Sequence, residues 1–343
     1  MSKRVRTQQI PEKRLTEEEP LSERVLKILS QSARLFWEEV KNSYRTKSFL
    51  AFAALMVLPM LIILISYAVT QYPTMFNRVQ ISLFLNGVFL EDGAILTFRN
   101  IFAETMGVGF QMTGFATLYY TGVPIIAVVT ILTSGIIAGE RDKGTLPVYF
   151  AKPIYKTQLV LTKYLAFAFI SLILTAFVFY TMYLALALSI LGPLGILPEG
   201  LTYTIYAANN MIIVTWVFIL AVGSVTTLCS SLVDRPILAG VVSLVYLLVI
   251  SFFSRILIVF LGSVAEPLKY LNLSGLANSI LNVNIMGIDY YRAVWNIITR
   301  AGFLSNLILG QLIDPTLAAT ILTTIILATL TAACIITQIR EVK

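Results

Sequence analysis

The hydrophobic pattern of the chain consists of long apolar runs separated by short polar and charged stretches. A transmembrane helix needs about 20 consecutive apolar residues, and six of the runs reach that length. They cover residues 49–70, 116–138, 159–191, 209–232, 237–260 and 316–338. Pro124 predicts a kink in the second run, since membrane helices tolerate such prolines. The pattern predicts an all-α integral membrane protein, a six-span helical bundle within residues 48–343.

The composition agrees with this class. Hydrophobic residues make up 57% of the chain and charged residues 13%, whereas a soluble domain carries about 25% charged residues. The formal net charge of +7 could suggest nucleic acid, but most basic residues lie in short segments beside apolar runs. Charge in those places sets membrane topology. Membrane lipids, and not nucleic acid, are therefore the expected partners.

The distribution of Lys and Arg predicts the orientation. Six spans place both termini on one side, together with residues 139–163 and the turn at Arg235. That side carries 19 Lys and Arg residues, and the opposite side carries 5. Because basic residues concentrate on the inner side of membrane proteins, we expect a multi-pass protein of the plasma membrane with cytosolic N- and C-termini.

Two different segments precede the first span. Residues 1–20 are polar with mixed charges, and we expect them to be disordered. Residues 21–47 contain an amphipathic helix, with Leu29 and Phe36 near one face and Trp37 beside them. A basic amphipathic helix before a span is typical of one that lies in the membrane interface. Docking to a partner protein is the alternative, and the two can hold together.

Two long segments lie on the predicted extracytoplasmic side, after the first and fifth spans. Residues 71–115 alternate apolar and polar positions before Asn86-Gly87, which favours a β-hairpin. Residues 262–315 contain amphipathic pieces, and we expect short helices on the outer mouth of the bundle. Asn272 begins an Asn-Leu-Ser sequon, but chance matches to so short a motif are common, so a structural role is favoured.

The sequence contains little that could support catalysis. It has no G-x-x-x-x-G-K-[ST] loop, so the chain by itself is not expected to be an ATPase. It has no histidine, and its two cysteines lie within apolar runs, so we expect no metal site and no cofactor on this chain. The absence of acidic residues from mid-span positions lowers the case for an ion-coupled secondary carrier without excluding it. A membrane anchor or immunity-type protein without transport is the other alternative.

A charged interruption separates the second and third runs. Glu140, Arg141 and Asp142 follow the second run, and Gly144 suits the left-handed cap of a helix. Thr145 can then cap a short new helix, which ends before a proline. Its apolar side chains need lipid or a partner protein to bury against. The candidate contact residues of this helix are Leu146, Tyr149, Phe150 and Lys152.

The stretch GIIAGERDKGTLPVYFAKPIYKTQLVLTKYLA resembles the signature of ABC-2-type transporter permeases. In that family a span ends in a small residue and a Glu-Arg turn, and Gly-Thr-Leu, a short apolar helix, a proline and a lysine follow. The matching positions are Gly139, Glu140, Arg141, Gly144, Thr145, Leu146, Pro153 and Lys163. Pro147 departs from the pattern, since many relatives carry a polar or acidic residue there.

This resemblance implies six spans, an N-terminal elbow helix within residues 21–47 and a cytosolic coupling helix between the second and third spans. It also implies extra outer elements between the fifth and sixth spans. A separate ATPase subunit would bind ATP and Mg²⁺ and contact residues 140–152. A second copy of the permease, or a homologue, would complete the translocation path. Most members of the family are exporters.

Overall fold

The computed structural model describes residues 21–43, 47–66, 122–144, 156–194, 197–261, 266–286 and 313–340. The helices are α1 (Leu21–Ser43), α2 (Lys47–Ser66), α3 (Val123–Ser134), α4 (Ala138–Asp142), α5 (Lys156–Leu194), α6 (Leu197–Leu232), α7 (Pro236–Leu261), α8 (Leu273–Met286) and α9 (Pro315–Arg340). A 3₁₀ helix, Glu266–Leu271, precedes α8. Every regular element within the described ranges is helical, which confirms the all-α class for that part of the chain.

Within the described residues, four helical segments are long and apolar enough to cross a membrane. They are Lys156–Met182, Ala208–Leu232, Pro236–Ser254 and Pro315–Arg340. They occupy the last four of the six predicted runs, while α2 covers most of the first and α3 covers part of the second. The six-span count stays a prediction, because residues 67–121 lie outside the described residues.

The second run differs from the single span predicted over residues 116–138. Within its described part, α3 begins at Val123 with Pro124 in its first turn. A proline there removes no helical hydrogen bond, so Pro124 starts the helix, and the predicted kink is wrong. α3 ends at Ser134, and a turn over residues 135–137 separates it from α4. The physical cause of this break lies in α6.

The long helices α5 and α6 pack closely against each other. They contain 39 and 36 residues, so at 1.5 Å per residue each is longer than the ~30 Å hydrocarbon core. The indole Nε1–H of Trp216 donates to the carbonyl of Ala168 at 2.9 Å. A Cβ added at Gly223 would lie 2.7 Å from the ring of Phe167. The glycine therefore permits the close approach of the two helices.

Helix α6 forms the centre of the described bundle. It packs against α3, α5, α7, α8 and α9, and 67% of its membrane segment is buried, compared with 22% for α7 and 11% for α9. Met211, Phe218 and Ile219 of α6 are fully buried in the main hydrophobic core. The exposed apolar faces of α7 and α9 are the surfaces that a bilayer would cover.

Short helices also form in the described part of the segment after α7, as predicted. The side chain of Asn272 is fully buried and accepts a hydrogen bond from the N–H of Gly275 at 3.1 Å, which caps α8. The hydroxyl of Ser279 in α8 accepts a hydrogen bond from the N–H of Ile313, just before α9. The side chain of Asn272 thus has a structural role as the cap of α8. The hairpin predicted within residues 71–115 and the disorder predicted for residues 1–20 lie outside the described residues.

Candidate functional site

The break between α3 and α4 is held by one hydroxyl group of α6. The backbone N–H groups of Ile137 and Ala138 donate to Ser230 Oγ at 3.1 and 2.9 Å. Ser230 Oγ in turn donates to the carbonyl of Ser134 at 2.7 Å. A side chain that enters the hydrogen-bond ladder in this way is a known cause of helix kinks. It also satisfies backbone groups that lipid could not.

Helix α4 ends at Asp142, two residues before the glycine for which a left-handed cap was predicted. Gly144 has a φ of 66°, a conformation that costs glycine little and other residues more. Its N–H donates to the carbonyl of Arg141 at 3.1 Å, one of the bonds of a glycine-terminated helix end. The predicted cap is therefore confirmed, and the chain leaves α4 at a defined point just before residues 145–152.

A lysine lies between two carboxylates where α1, α4 and α5 meet. The Nζ of Lys163 in α5 is 2.9 Å from Glu39 Oε1 of α1 and 2.9 Å from Glu140 Oε1 of α4. The three side chains are only 9%, 18% and 16% exposed. Ions this shielded from water depend on one another, because a partner left alone keeps its desolvation cost. Lys163 therefore fixes the positions of α1 and α4 on α5.

A second ionic group joins α4 to the turn between α6 and α7 and to the end of α9. Asp234 Oδ1 in that turn is 3.2 Å from Arg141 Nη1 and 3.1 Å from Arg340 Nη2. Arg141 also donates to the carbonyl of Val233 at 3.0 Å. Asp234 is 67% exposed, so these pairs add little stability. Their main effect is geometric, since they hold three chain segments at one end of the bundle.

The six side chains of these two groups are named the charged cluster below. They come from α1, α4, α5, the α6–α7 turn and α9, and α4 contributes one residue to each group. The members are Glu39, Glu140, Lys163, Arg141, Asp234 and Arg340.

Helix α1 lies within the predicted segment 21–47 and packs on the first half of α5. The ring of Phe36 meets that of Phe169 edge-on at 5.6 Å, and the Trp37 ring lies 6.4 Å from the same phenylalanine. Leu29 is 59% exposed and Trp37 61% exposed. Apolar side chains thus remain on the outer side of α1. A location of this helix in the membrane interface stays a prediction.

The structure brings some of the predicted site residues together and does not describe the others. Glu140 and Arg141 form the two ionic groups described above, and Asp142 is exposed beside them. The remaining coupling residues lie outside the described residues, so their role stays a prediction. These are Thr145, Leu146, Tyr149, Phe150 and Lys152.

Sequence reasoning missed several residues of this site. Arg340 lies near the end of an apolar run and was interpreted only as a topology signal, while Glu39, in the amphipathic segment, and Asp234, in the short turn, were given no role. Their spacing along the chain contains no hint that they meet. Ser230 was missed because hydroxyl residues within membrane helices usually bond to their own backbone. The one available signal was the charged Asp234-Arg235 pair in so short a turn between two apolar runs.

The fold and the charged cluster define a multi-pass helical membrane protein whose helix ends are bound together at one end of the bundle. The model of the family described as ABC-2 family transporter protein matches residues 33–338. The chain therefore belongs to the ABC-2 transporter family. A comparison with curated proteins gave no significant match.

Proposed function

We propose that this chain is the permease subunit of an ATP-binding cassette exporter and that a separate subunit hydrolyses the ATP. The charged cluster is the observation that carries the proposal. It joins α1, α4, α5, the α6–α7 turn and α9 immediately before residues 145–152. A displacement of that segment would reach all of these elements through α4.

The proposed topology has six spans and cytosolic termini. The excess of Lys and Arg on one side supports it. The described contacts support it as well, because Glu39, near the end of α1, and Arg340, at the end of α9, lie at the same end of the bundle as α4. An even number of crossings between α1 and the C-terminus accounts for that arrangement.

The proposed partner is an ABC ATPase that binds ATP and Mg²⁺, since the sequence of this chain contains no P-loop. The apolar side chains of Leu146, Tyr149 and Phe150 would supply contact area in a groove of the ATPase, since aromatic residues are enriched in protein interfaces. Lys152 would lie at the rim of the contact. A second permease, identical or homologous, would complete the path for the substrate.

The mechanism follows from differential contacts. Closure of the ATPase dimer on ATP would move residues 145–152 together with α4. Because Glu140 is bonded to Lys163 of α5 and Arg141 to the α6–α7 turn, a movement of α4 would act on both. The bundle would then exchange one packing for another, with each packing favoured by a different nucleotide state.

The test uses Glu140→Ala and Phe150→Asp in the complex purified from membranes. Glu140→Ala removes the bond between α4 and Lys163, and Phe150→Asp places a charge in the proposed apolar contact. We expect Phe150→Asp to lose the ATPase subunit. We expect Glu140→Ala to retain part of it, with transport per ATP hydrolysed reduced at least several-fold. Membrane insertion should stay normal in both.

Asp314→Ala is the matched control, because it removes a carboxylate at the opposite end of the bundle. Asp314 caps α9 through hydrogen bonds from the N–H groups of Thr316 and Leu317, and it also accepts one from the Thr316 hydroxyl. The bond from the Thr316 hydroxyl, followed by that from the Leu317 N–H, holds the pKa of this carboxyl below its usual value. Its loss should leave ATPase retention and coupling unchanged. Wild-type ATPase retention and wild-type transport in both test variants would contradict the proposal.

A further inference from the structure

The break at residues 135–137 is not explained by a proline or by the backbone of α3 alone. In an uninterrupted helix the N–H groups of Ile137 and Ala138 would bond to the carbonyls of Thr133 and Ser134, four residues back. Here Ser230 Oγ accepts both N–H groups and donates to the Ser134 carbonyl. A hydroxyl has one donor and two acceptor positions, and all three are used.

The burial of the Ser230 hydroxyl limits the backbone at the break to two hydrogen-bonding arrangements. Ser230 and Ala138 are fully buried, and Ser230 belongs to a helix segment that can cross the membrane. Unsatisfied backbone groups are strongly unfavourable in such surroundings. The N–H groups of Ile137 and Ala138 therefore have two good arrangements. They bond to Ser230 Oγ in a broken helix, or to the carbonyls of Thr133 and Ser134 in a continuous one.

The surroundings of the break leave room for a change between these arrangements. A Cβ added at Gly135 or at Gly139 would meet no atom within 4 Å. Both glycines therefore have free space beside them. On the far side of the break, α4 carries Glu140 and Arg141, which link it to the charged cluster.

We infer that Ser230 is a positioning residue and that residues 135–137 form a hinge in the second span. The three hydrogen bonds of Ser230 Oγ, called the latch below, keep this hinge bent and so set the direction of α4. In this inference the latch opens during the nucleotide cycle, and α3 and α4 become one continuous helix. The opening of the latch rests on the proposed function, whereas the latch itself does not. Sequence alone does not reveal it, because the serine lies more than 90 residues from the break.

The test measures the distance across the break by dipolar EPR. Spin labels replace Ile131, which is 66% exposed, and Lys143, which is exposed. Cys229 and Cys334 are replaced by alanine in all samples. The full-length chain, with any ATPase that co-purifies, is placed in lipid nanodiscs without nucleotide and with a non-hydrolysable ATP analogue. A continuous helix would separate the two backbone positions by about 18 Å along its axis.

Without nucleotide, we expect Ser230→Ala to shift the distance from the wild-type value towards that of a continuous helix. Ser230→Thr keeps the hydroxyl and should restore the wild-type distance. Ser231→Ala is the matched control, because the hydroxyl of this buried neighbour donates to the carbonyl of Leu228 in its own helix and, among the described residues, does not reach α3 or α4. It should also give the wild-type distance. The ATP analogue should shift the wild-type complex in the same direction as Ser230→Ala.

Two results would overturn the inference. Equal distances in Ser230→Ala and the wild type without nucleotide would show that the Ser230 hydroxyl does not hold the break in place. The second result is a wild-type distance between positions 131 and 143 that the ATP analogue leaves unchanged in a complex that contains its ATPase. It would show that the break does not change during the nucleotide cycle. Failure of any ATPase to co-purify contradicts the proposed function, while the nucleotide-free comparison still decides whether Ser230 is the latch.

Discussion

At the scale of single residues, Lys163 is the most constrained charge of the site. It is 9% exposed and contacts two carboxylates from two other helices at 2.9 Å. Buried ions of this kind contribute little as a complete group, and they become costly when one member is removed. Lys163 thus joins α1 and α4 to α5 through charges that depend on one another.

Lys163→Met should destabilise the chain by about 3 kcal/mol, because Glu39 and Glu140 would keep their desolvation cost without a cation. Unfolding of the purified protein in mixed micelles measures this free energy. The control combines Lys163→Met with Glu39→Gln and Glu140→Gln. It should recover most of the loss, since no uncompensated charge remains. A single variant as stable as the wild type would show that the group is solvated in the folded protein.

Some single-residue features could be predicted from sequence and others could not. The left-handed cap at Gly144 was predictable because glycine adopts that conformation at low cost. The partners of Glu140 and Arg141 were not, since Lys163 and Asp234 reach them only through the packing of helices. The sequence showed which side chains carry charge, and the fold determines which of them meet.

At the scale of the elements, the last four predicted runs correspond to helices of the structure because length and hydropathy are enough to define a span. In the second run, length and hydropathy do not predict the break at residues 135–137. Ile136 and Ile137 are as apolar as the residues before them, so hydropathy continues across the break. The break depends on a hydroxyl of α6, which no local pattern in α3 contains.

The contact between α5 and α6 gives a prediction at this scale. Gly223→Ala should destabilise the pair by about 1–2 kcal/mol, because the new Cβ would lie 2.7 Å from Phe167 and overpacking strains neighbouring side chains. Gly240→Ala is the matched control, since its Cβ would meet Ser134 at an ordinary 3.4 Å. Alanine favours helix over glycine, so the control should be at least as stable as the wild type.

A double substitution checks the physical reason for this effect. Phe167→Leu frees space beside position 223, so Gly223→Ala should cost less in that background than in the wild type. The free energy of unfolding in mixed micelles provides the comparison. Equal costs of Gly223→Ala in the two backgrounds would show that the ring of Phe167 is not the obstacle.

At the scale of the whole molecule, the described helices form one bundle around α6, and the charged cluster lies at one end. The start of α5, the end of α6, the start of α7 and the end of α9 all meet there. The start of α9 and the cap of α8 lie at the other end. The ends of the helices thus lie alternately at the two ends of the bundle, which agrees with the order of spans expected from the sequence. In the proposed orientation, the end with the charged cluster faces the cytosol.

The central claim is that the chain leaving α4 contacts an ATPase at the end of the bundle where the charged cluster lies. Photo-cross-linking in cells tests it most directly, with a photoreactive phenylalanine analogue at position 150 and, as control, at the exposed position 314 of the opposite end. We expect an adduct with an ABC ATPase, identified by mass spectrometry, from position 150 and none from position 314. An ATPase adduct from position 314 and none from position 150, in a chain inserted normally in the membrane, would contradict the account.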